Sequence, residues 1–187
     1  MIFYLVRHGQ TDWNNEHRFQ GHRNIPMNEA GIQQINDLAD RIVMEKITFD
    51  RMIVSPLDRA RKTAEIIADK THFSGEIIYD EDFIERGCGD LEGEVWSPEL
   101  DLEDPKHNME TIPELCDRAQ KAIEKYTFSK DERIMIVSHG AFLTALRTVL
   151  SDYKIEYNDK TVQVIQGNVL CCKKEEGEET VFNNVIS

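Results

Sequence analysis

Two short polar motifs, each placed directly after an apolar run, carry residues able to move a phosphoryl group. Arg7-His8-Gly9 follows the run from Ile2 to Val6, and Ser138-His139-Gly140 follows a run ending at Val137. A neutral imidazole is a nucleophile near pH 7. A guanidinium beside it disfavours the imidazolium form, which would keep His8 reactive. Guanidinium groups also match the oxygens of a phosphoryl group in pairs. In phosphoryl transfer the protein's task is mostly positioning and charge stabilisation. Arg7, Arg59 and a donor from His139 would perform that task without a metal, with His8 as the covalent acceptor. The leaving oxygen needs a proton, and Glu85 in Phe83-Ile84-Glu85-Arg86-Gly87 is the best placed acid, ahead of its neighbours Glu81, Asp82 and Glu92. It has to be protonated when the ester binds, which partial burial near a dianionic phosphate would favour, and the same carboxylate could then deprotonate the attacking water.

The elements that must position these groups are legible in the patterning. Residues 1–6 form an apolar run expected of a strand buried on both faces. A helix is expected over about 28–46, with Asn28 as N-cap and Ile35, Leu38, Ala39, Ile42 and Val43 on its core face. A strand at 51–54 meets Ser55-Pro56-Leu57-Asp58, a capping-box pattern with proline in the first turn. The helix it opens runs to about residue 70, with Arg59 about one turn in and Leu57, Ala60, Ala64, Ile67 and Ala68 inward. A strand at 76–79 follows. A second capping box, Thr111 to Glu114, starts a helix reaching about residue 126. Then come a strand at 133–137, a helix at about 140–150 with Phe142, Leu143, Leu146 and Leu150 inward, and late strands at 161–172 and 180–185 around a polar turn at 173–179.

Strands alternating with amphipathic helices imply a three-layer α/β/α sandwich with a mostly parallel central sheet, built as a single domain over residues 1–187. In such a sheet ligands bind at the carboxyl ends of the strands. Arg7-His8-Gly9, Ser55 with Arg59, Glu85 and Ser138-His139-Gly140 all follow strands there, so distant segments converge on one place. The acidic stretch 94–110, with Pro98 and Pro105, is too long for a simple turn and reads as a lid or mobile loop.

Composition narrows the partners. Lys and Arg number 22 against 35 Asp and Glu, a net charge of −13, which repels nucleic acid and anionic membrane surfaces. The first apolar run is too short for a signal peptide or spanning helix, so a cytoplasmic location is expected. Cys88, Cys116, Cys171 and Cys172 form no CxxC pair and read as reduced thiols; on a strand the last two would face opposite sides. His17, His22, His72 and His107 lack metal-ligand spacing, and Trp13 and Trp96 read as packing residues. Neither metal nor cofactor is expected. The expected partner is a small phosphorylated substrate, and a homodimer is a possible assembly.

The motifs together resemble the histidine phosphatase superfamily, in its phosphoglycerate mutase-like branch. The resemblance lies in Leu5-Val6-Arg7-His8-Gly9-Gln10-Thr11, Asn14, Arg18-Phe19-Gln20-Gly21, Ser55-Pro56-Leu57-Asp58-Arg59-Ala60, Glu85 with Gly89 and Glu92-Gly93, and Val137-Ser138-His139-Gly140. They occur in the family's order across about residues 2–150. The resemblance implies His8 as the phosphorylated nucleophile, Arg7, Arg59 and His139 as the phosphate pocket, Glu85 as proton donor, and Asn14, Gln20, Gly21 and Gly140 as further substrate contacts. The chain departs from the cofactor-dependent mutases in its short interval between Glu85 and His139. Asp101, Glu103 and Asp104 in that interval would repel a bisphosphate. The implied activity is therefore metal-independent phosphomonoester hydrolysis of a small metabolite. A mutase-type phosphotransferase, an alpha-ribazole phosphatase and a non-catalytic phospho-ligand binding protein are the alternatives.

Overall fold

The computed structural model of the chain describes residues 1–174 and 178–185. One sheet holds six strands: β1 (Ile2–Arg7), β2 (Arg51–Val54), β3 (Glu76–Tyr79), β4 (Arg133–Ser138), β5 (Val169–Lys173) and β6 (Val181–Asn184). Their order is β3-β2-β4-β1-β5-β6. The pairs β1–β4, β4–β2 and β2–β3 are parallel, whereas β1–β5 and β5–β6 are antiparallel. The helices are α1 (Asp12–Asn15), α2 (Glu29–Met44), α3 (Asp58–Lys70), α4 (Ile112–Glu124) and α5 (Gly140–Leu150). None of the described helices is long and apolar enough to cross a membrane.

The unbroken apolar runs in β1 and β4 are explained by burial on both faces. Phe3, Leu5, Ile134 and Ile136 point to one side and pack with Leu115 and Ala119 of α4 and Phe142, Leu143 and Leu146 of α5. Tyr4, Val6, Met135 and Val137 point to the other and meet Ile35, Leu38 and Ile42 of α2 and Ala60, Ala64 and Ile67 of α3. This is the expected three-layer arrangement. The four cysteines are unpaired, and Cys171 and Cys172 do face opposite cores.

Register turns the sheet into a positioning device. In β1 and β4 Val6 lies opposite Val137 and Arg7 opposite Ser138, so His8 and His139 leave the two central strands level with each other. Val54 of β2 is also level with Val137, and the Ser55 amide continues that pairing to the Val137 carbonyl at 3.0 Å.

Four details differ from the sequence reading. Ser55 does not cap α3: Leu57 occupies the N-cap with no side-chain hydrogen bond, and Arg59 is the second helical residue rather than a turn in. Ser55 is buried and bonded to His139 instead. Val43 falls outside the core face of α2, half exposed, because the helix is ending there. The late strand starts only at Val169, since Asp159 closes a local turn on Thr161 and Gly167 takes a positive φ of 76°. Part of the polar turn at 173–179 lies outside the described residues. The acidic stretch 94–110 is tied at several points: Val95 bridges Arg18, the Trp96 amide bonds the His17 carbonyl, and the Glu110 amide bonds the Gly87 carbonyl.

The chain leaving β1 passes against the first turn of α2, where Gly31 stands. A methyl on Gly31 would lie 2.1 Å from the Gln10 carbonyl oxygen, so backbone rather than a yielding side chain is in the way. Gly31→Ala is expected to cost about 1–3 kcal/mol in urea unfolding. It should also lower turnover in folded protein, because the displaced Gln10 lies two residues from His8; unchanged stability and turnover would refute the close approach.

Candidate active site

A cavity of about 280 Å³ opens at the carboxyl edge of the parallel strands. Arg7, His8, Asn14, Gln20, Gly21, Arg59 and Glu85 line it together with Arg18, Phe19, Arg86, Cys88, Leu102, Met109, Ala141 and Tyr157. Seven of the nine residues singled out in the sequence thus share one wall. The other two, His139 and Gly140, stand directly behind it. A larger hollow of about 740 Å³ lies elsewhere, beside Met1, Phe128 and Lys174, and contains none of the motif residues.

His8 is buried at the end of β1. Its Nδ1 lies 2.7 Å from the Gly9 carbonyl oxygen, which can only accept, so Nδ1 carries the proton and Nε2 keeps its lone pair. Three further bonds fix the backbone here: the His8 amide to the Ser138 carbonyl, the Gly9 amide to Thr63 Oγ1 at 3.1 Å, and Gln166 Nε2 to the His8 carbonyl at 2.8 Å. The imidazole is held neutral. Burial lowers its pKa well below the usual histidine value, and the Arg59 and Arg7 guanidiniums push it the same way. The sequence reading named the arginines; burial is the larger cause.

His139 is also neutral, through burial and then the charge of Arg59. The two rings lie 5.1 Å apart, centroid to centroid. Arg59 Nε donates to His139 Nδ1 at 3.2 Å, so Nε2 bears the hydrogen and donates to Ser55 Oγ at 2.7 Å. His139 is therefore a support behind the cavity wall, and its ring reaches a phosphoryl group only if the Ser55 bond is exchanged.

Arg59 is fully buried (0% exposed). Besides His139 it donates from Nη1 to the Arg23 carbonyl at 2.7 Å and from Nη2 to the Gly21 carbonyl at 3.0 Å. Burial lowers its pKa to about 10, which leaves it charged at neutral pH. Gly21 can turn this carbonyl inward because it adopts φ 47°, and a side chain there would strike Glu92.

The guanidinium of Arg7 has no hydrogen-bond partner in the described protein, and its Nε is buried. It lies over the start of α5, where a Cβ on Gly140 would come within 3.3 Å of Arg7 Cζ. Gly140 thus makes room for Arg7 rather than lining the cavity itself. Asn14 uses its carboxamide oxygen locally, as Oδ1 accepts the Thr11 amide at 3.1 Å in a capping box, and lines the cavity with no bond made by its Nδ2 in the described protein. Gln20 is buried with Oε1 unpartnered.

Glu85 lies at the N-terminus of α5. Its Oε1 accepts from the amides of Arg86 at 2.9 Å, Phe142 at 3.0 Å and Ala141 at 3.1 Å. Oε2 receives only a long 3.4 Å contact from Ala141 and is the oxygen left for a proton. Three backbone amides hold Glu85, against one, that of His22, for Glu92. The segment before it, which begins with a 3-10 turn at Glu81–Phe83, is pinned by Arg118 of α4, which donates to the carbonyls of Asp82, Ile84 and Glu85 while pairing with Glu110. Nothing in the spacing of α4 marks Arg118 for this task.

The acidic stretch contributes Leu102 and Met109, both apolar, to the cavity. Its carboxylates differ in place: Asp101 and Asp104 accept from nearby amides, and Glu103 pairs with Arg86 of the cavity wall. Of these three residues, expected to repel a bisphosphate, Glu103 reaches the cavity wall through Arg86, while Asp101 and Asp104 are bound in local turns. Cys88 lines the wall as an unreactive thiol, its pKa pushed up to about 12 by burial and then by Glu85.

Because both buried histidines resist protonation, unfolding releases imidazoles that take up protons below about pH 6.5. Stability should therefore fall as pH drops below about 6.5 and be insensitive to these groups above it. The slope approaches about 1.4 kcal/mol per pH unit for each histidine. Urea titrations between pH 7.5 and 5.5 should show that fall, and His139→Gln should reduce the slope; a slope equal in variant and parent would refute the neutral buried state.

The family model described as Histidine phosphatase superfamily (branch 1) matches residues 3–184. A Bacillus subtilis (strain 168) protein named as an uncharacterized phosphatase, PhoE, is 37% identical over 156 residues, covering 79% of this chain and 76% of that one. An Arabidopsis thaliana protein named metal-independent phosphoserine phosphatase is 36% identical over 158 residues, 76% of this chain and 65% of that one. The solved structure of Bacillus stearothermophilus YhfR superposes with a TM-score of 0.79 at 26% identity, covering 99% of this chain and 95% of that one. The match spans every element that surrounds the cavity, and the chain belongs to the histidine phosphatase superfamily, branch 1.

Proposed function

We propose that the protein is a metal-independent phosphomonoesterase that hydrolyses a small phosphorylated metabolite through phosphohistidine on His8. The observation that carries this reading is the unpartnered, partly buried guanidinium of Arg7 on the same wall as the free Nε2 of His8. A buried donor without an acceptor is costly, and a phosphoryl oxygen would satisfy it. Arg59 offers its remaining N–H groups beside it. The relatives named as phosphatases support hydrolysis as the reaction class.

In the first step the lone pair of His8 Nε2 forms the N–P bond as the P–O bond to the alcohol breaks, and Glu85 Oε2 gives its proton to the leaving oxygen. The retained Nδ1–H bond to Gly9 then holds the phosphorylated ring in place. In the second step water attacks phosphorus, Glu85 takes the water's proton, and the electron pair of the N–P bond returns to His8. The guanidiniums bear the charge on the equatorial oxygens throughout, the role a metal ion fills in other phosphoryl-transfer sites.

Phosphate release across a panel of phosphorylated metabolites, including alpha-ribazole phosphate and the phosphoglycerates, tests the reading. Turnover should persist in excess chelator and fall at least about a thousandfold in His8→Ala, with loss of acid-labile phosphoenzyme. A strict metal requirement, or labelling of His8→Ala at normal yield, would refute it. Primed isomerisation of a phosphoglycerate with little phosphate release would point to a transferase instead, and phosphate binding with no turnover to a non-catalytic protein. Glu85→Gln should cost about a hundredfold or more on alkyl phosphates and much less on aryl phosphates, whose leaving groups need no proton. Equal losses on both would remove Glu85 as the acid.

A further inference from the structure

The segment that holds Arg59 also reaches the proposed acid. The carbonyls of Gly21 and Arg23 accept from Arg59 Nη2 at 3.0 Å and Nη1 at 2.7 Å. His22 stands between them in the chain. Its side chain is exposed, yet Nε2 lies 2.9 Å from the carbonyl oxygen of Glu85. A carbonyl can only accept, so Nε2 carries the hydrogen and donates it. The ring lies along the turn after the acid, where a Cβ on Gly87 would come 3.5 Å from His22 Cε1. Its partner is 63 residues away in the chain, so local spacing gives no sign of the contact.

The base from which this ring extends is braced. The His22 amide donates to Glu92 Oε1 at 2.8 Å, and Glu92 Oε2 pairs with Arg23 at 3.3 Å. The main chain at 21–23 is thereby fixed both by Arg59 and by Glu92. A side chain can place its partner only when its own backbone is held in this way. On the acid's side, the Glu85 carbonyl also accepts from Arg118 Nη2 at 3.1 Å, so both of its lone pairs are used. The bonds divide the work. The amides of Arg86, Ala141 and Phe142 orient the carboxylate, and Arg118 ties the backbone of Glu85 to α4. The His22 bond ties that backbone to the segment holding Arg59.

We propose that His22 is a positioning residue that sets the acid Glu85 relative to Arg59, keeping the proton source in place beside the phosphoryl group. The word acid rests on the phosphatase reading above. The ring touches no reacting atom: it acts on the main chain of Glu85, and the proton that moves is the one on Oε2. Proton transfer is sensitive to such placement, because donor and leaving oxygen must meet at about 2.6–3.2 Å.

His22→Ala removes the donor, and His22→Gln offers an amide N–H at similar reach. In His22→Ala, kcat for an alkyl phosphate should fall about threefold to tenfold, the size of one lost hydrogen bond, with KM little changed. On an aryl phosphate, whose leaving group needs no proton, the loss should stay under about twofold. His22→Gln should recover most of the alkyl activity. In a Glu85→Gln background His22→Ala should cost nothing further, because both act through one proton. Equal losses on the two esters, or losses that multiply with Glu85→Gln, overturn the assignment.

Amide hydrogen exchange reads the place of Glu85 without turnover. Ala141 and Phe142 lie in the first turn of α5, where amides lack an intrahelical acceptor, and they donate to Glu85 Oε1. His22→Ala should speed exchange at these two about threefold to tenfold and leave Leu146 and Val149, deeper in the helix, unchanged. No change at the two amides, or faster exchange along the whole helix, refutes the positioning role. If the parent hydrolyses neither ester, the phosphatase reading falls, and the exchange measurement still decides on His22.

Discussion

The parallel pairing of β1 with β4 is the constraint on which everything at the site depends. Because Arg7 lies opposite Ser138, the next residue on each strand is a histidine, and the two rings emerge side by side. A slip of one residue in this register would turn His8 and His139 to different levels and reverse which core each strand side chain enters. Both strands are buried on both faces, so a slip would also displace Phe3, Leu5, Ile134 and Ile136 from one core into the other. The chemistry is therefore indexed by hydrophobic packing. The same register extends to β2, which is why Ser55 can reach His139 from a third strand.

A cationic site in a chain of net charge −13 requires that its guanidiniums keep their charge available. The structure meets this by binding buried arginines mainly through backbone carbonyls. Arg59 is held by Gly21 and Arg23 carbonyls, and Arg147 by four carbonyls. A carbonyl supplies a dipole that satisfies the N–H without cancelling the charge, as a carboxylate would. In the cavity Arg86 with Glu103 and Arg18 with Glu16 are exceptions, and there the carboxylates are half exposed, where an ion pair contributes little. The backbone amides at the start of α5 play the converse part for Glu85: they orient one oxygen and leave the other for the proton.

Strands, long helices and their faces were legible in the sequence because period and burial agree there. Both runs that end at the histidines are continuous apolar segments, and Thr111 with Glu114 does form the capping box its spacing implies. Ser55 was misleading for a physical reason. The Ser-x-x-Asp pattern is compatible with a cap, but a bond to a buried imidazole three strands into the sheet is invisible to local spacing. The cavity wall was legible where motif residues sit at strand ends, and illegible where loops fold back onto it. Tyr157 and Gln166 lie more than 140 residues beyond His8 in segments without periodicity, and only tertiary contacts bring them there. Arg118 and Arg147 read as ordinary helical arginines, since hydrogen bonds to carbonyls leave no compositional trace.

The acidic stretch after Gly93 shows how composition and role can separate. Its charges suggested exclusion of a bisphosphate; in the structure its carboxylates close local turns or pair with Arg86 and Lys106. What it presents to the cavity is Leu102 and Met109, and what it contributes electrostatically is Glu103 as the partner of Arg86. Its attachments to Arg18, His17 and Gly87 fix both ends while the stretch between carries Leu102 and Met109 to the cavity. In the proposed reaction the phosphoryl group would lie between Arg7 and His8 from the end of β1 and Arg59 from the first turn of α3. Loop residues such as Leu102, Met109 and Tyr157 complete the cavity, and they can vary without disturbing the register of the strands.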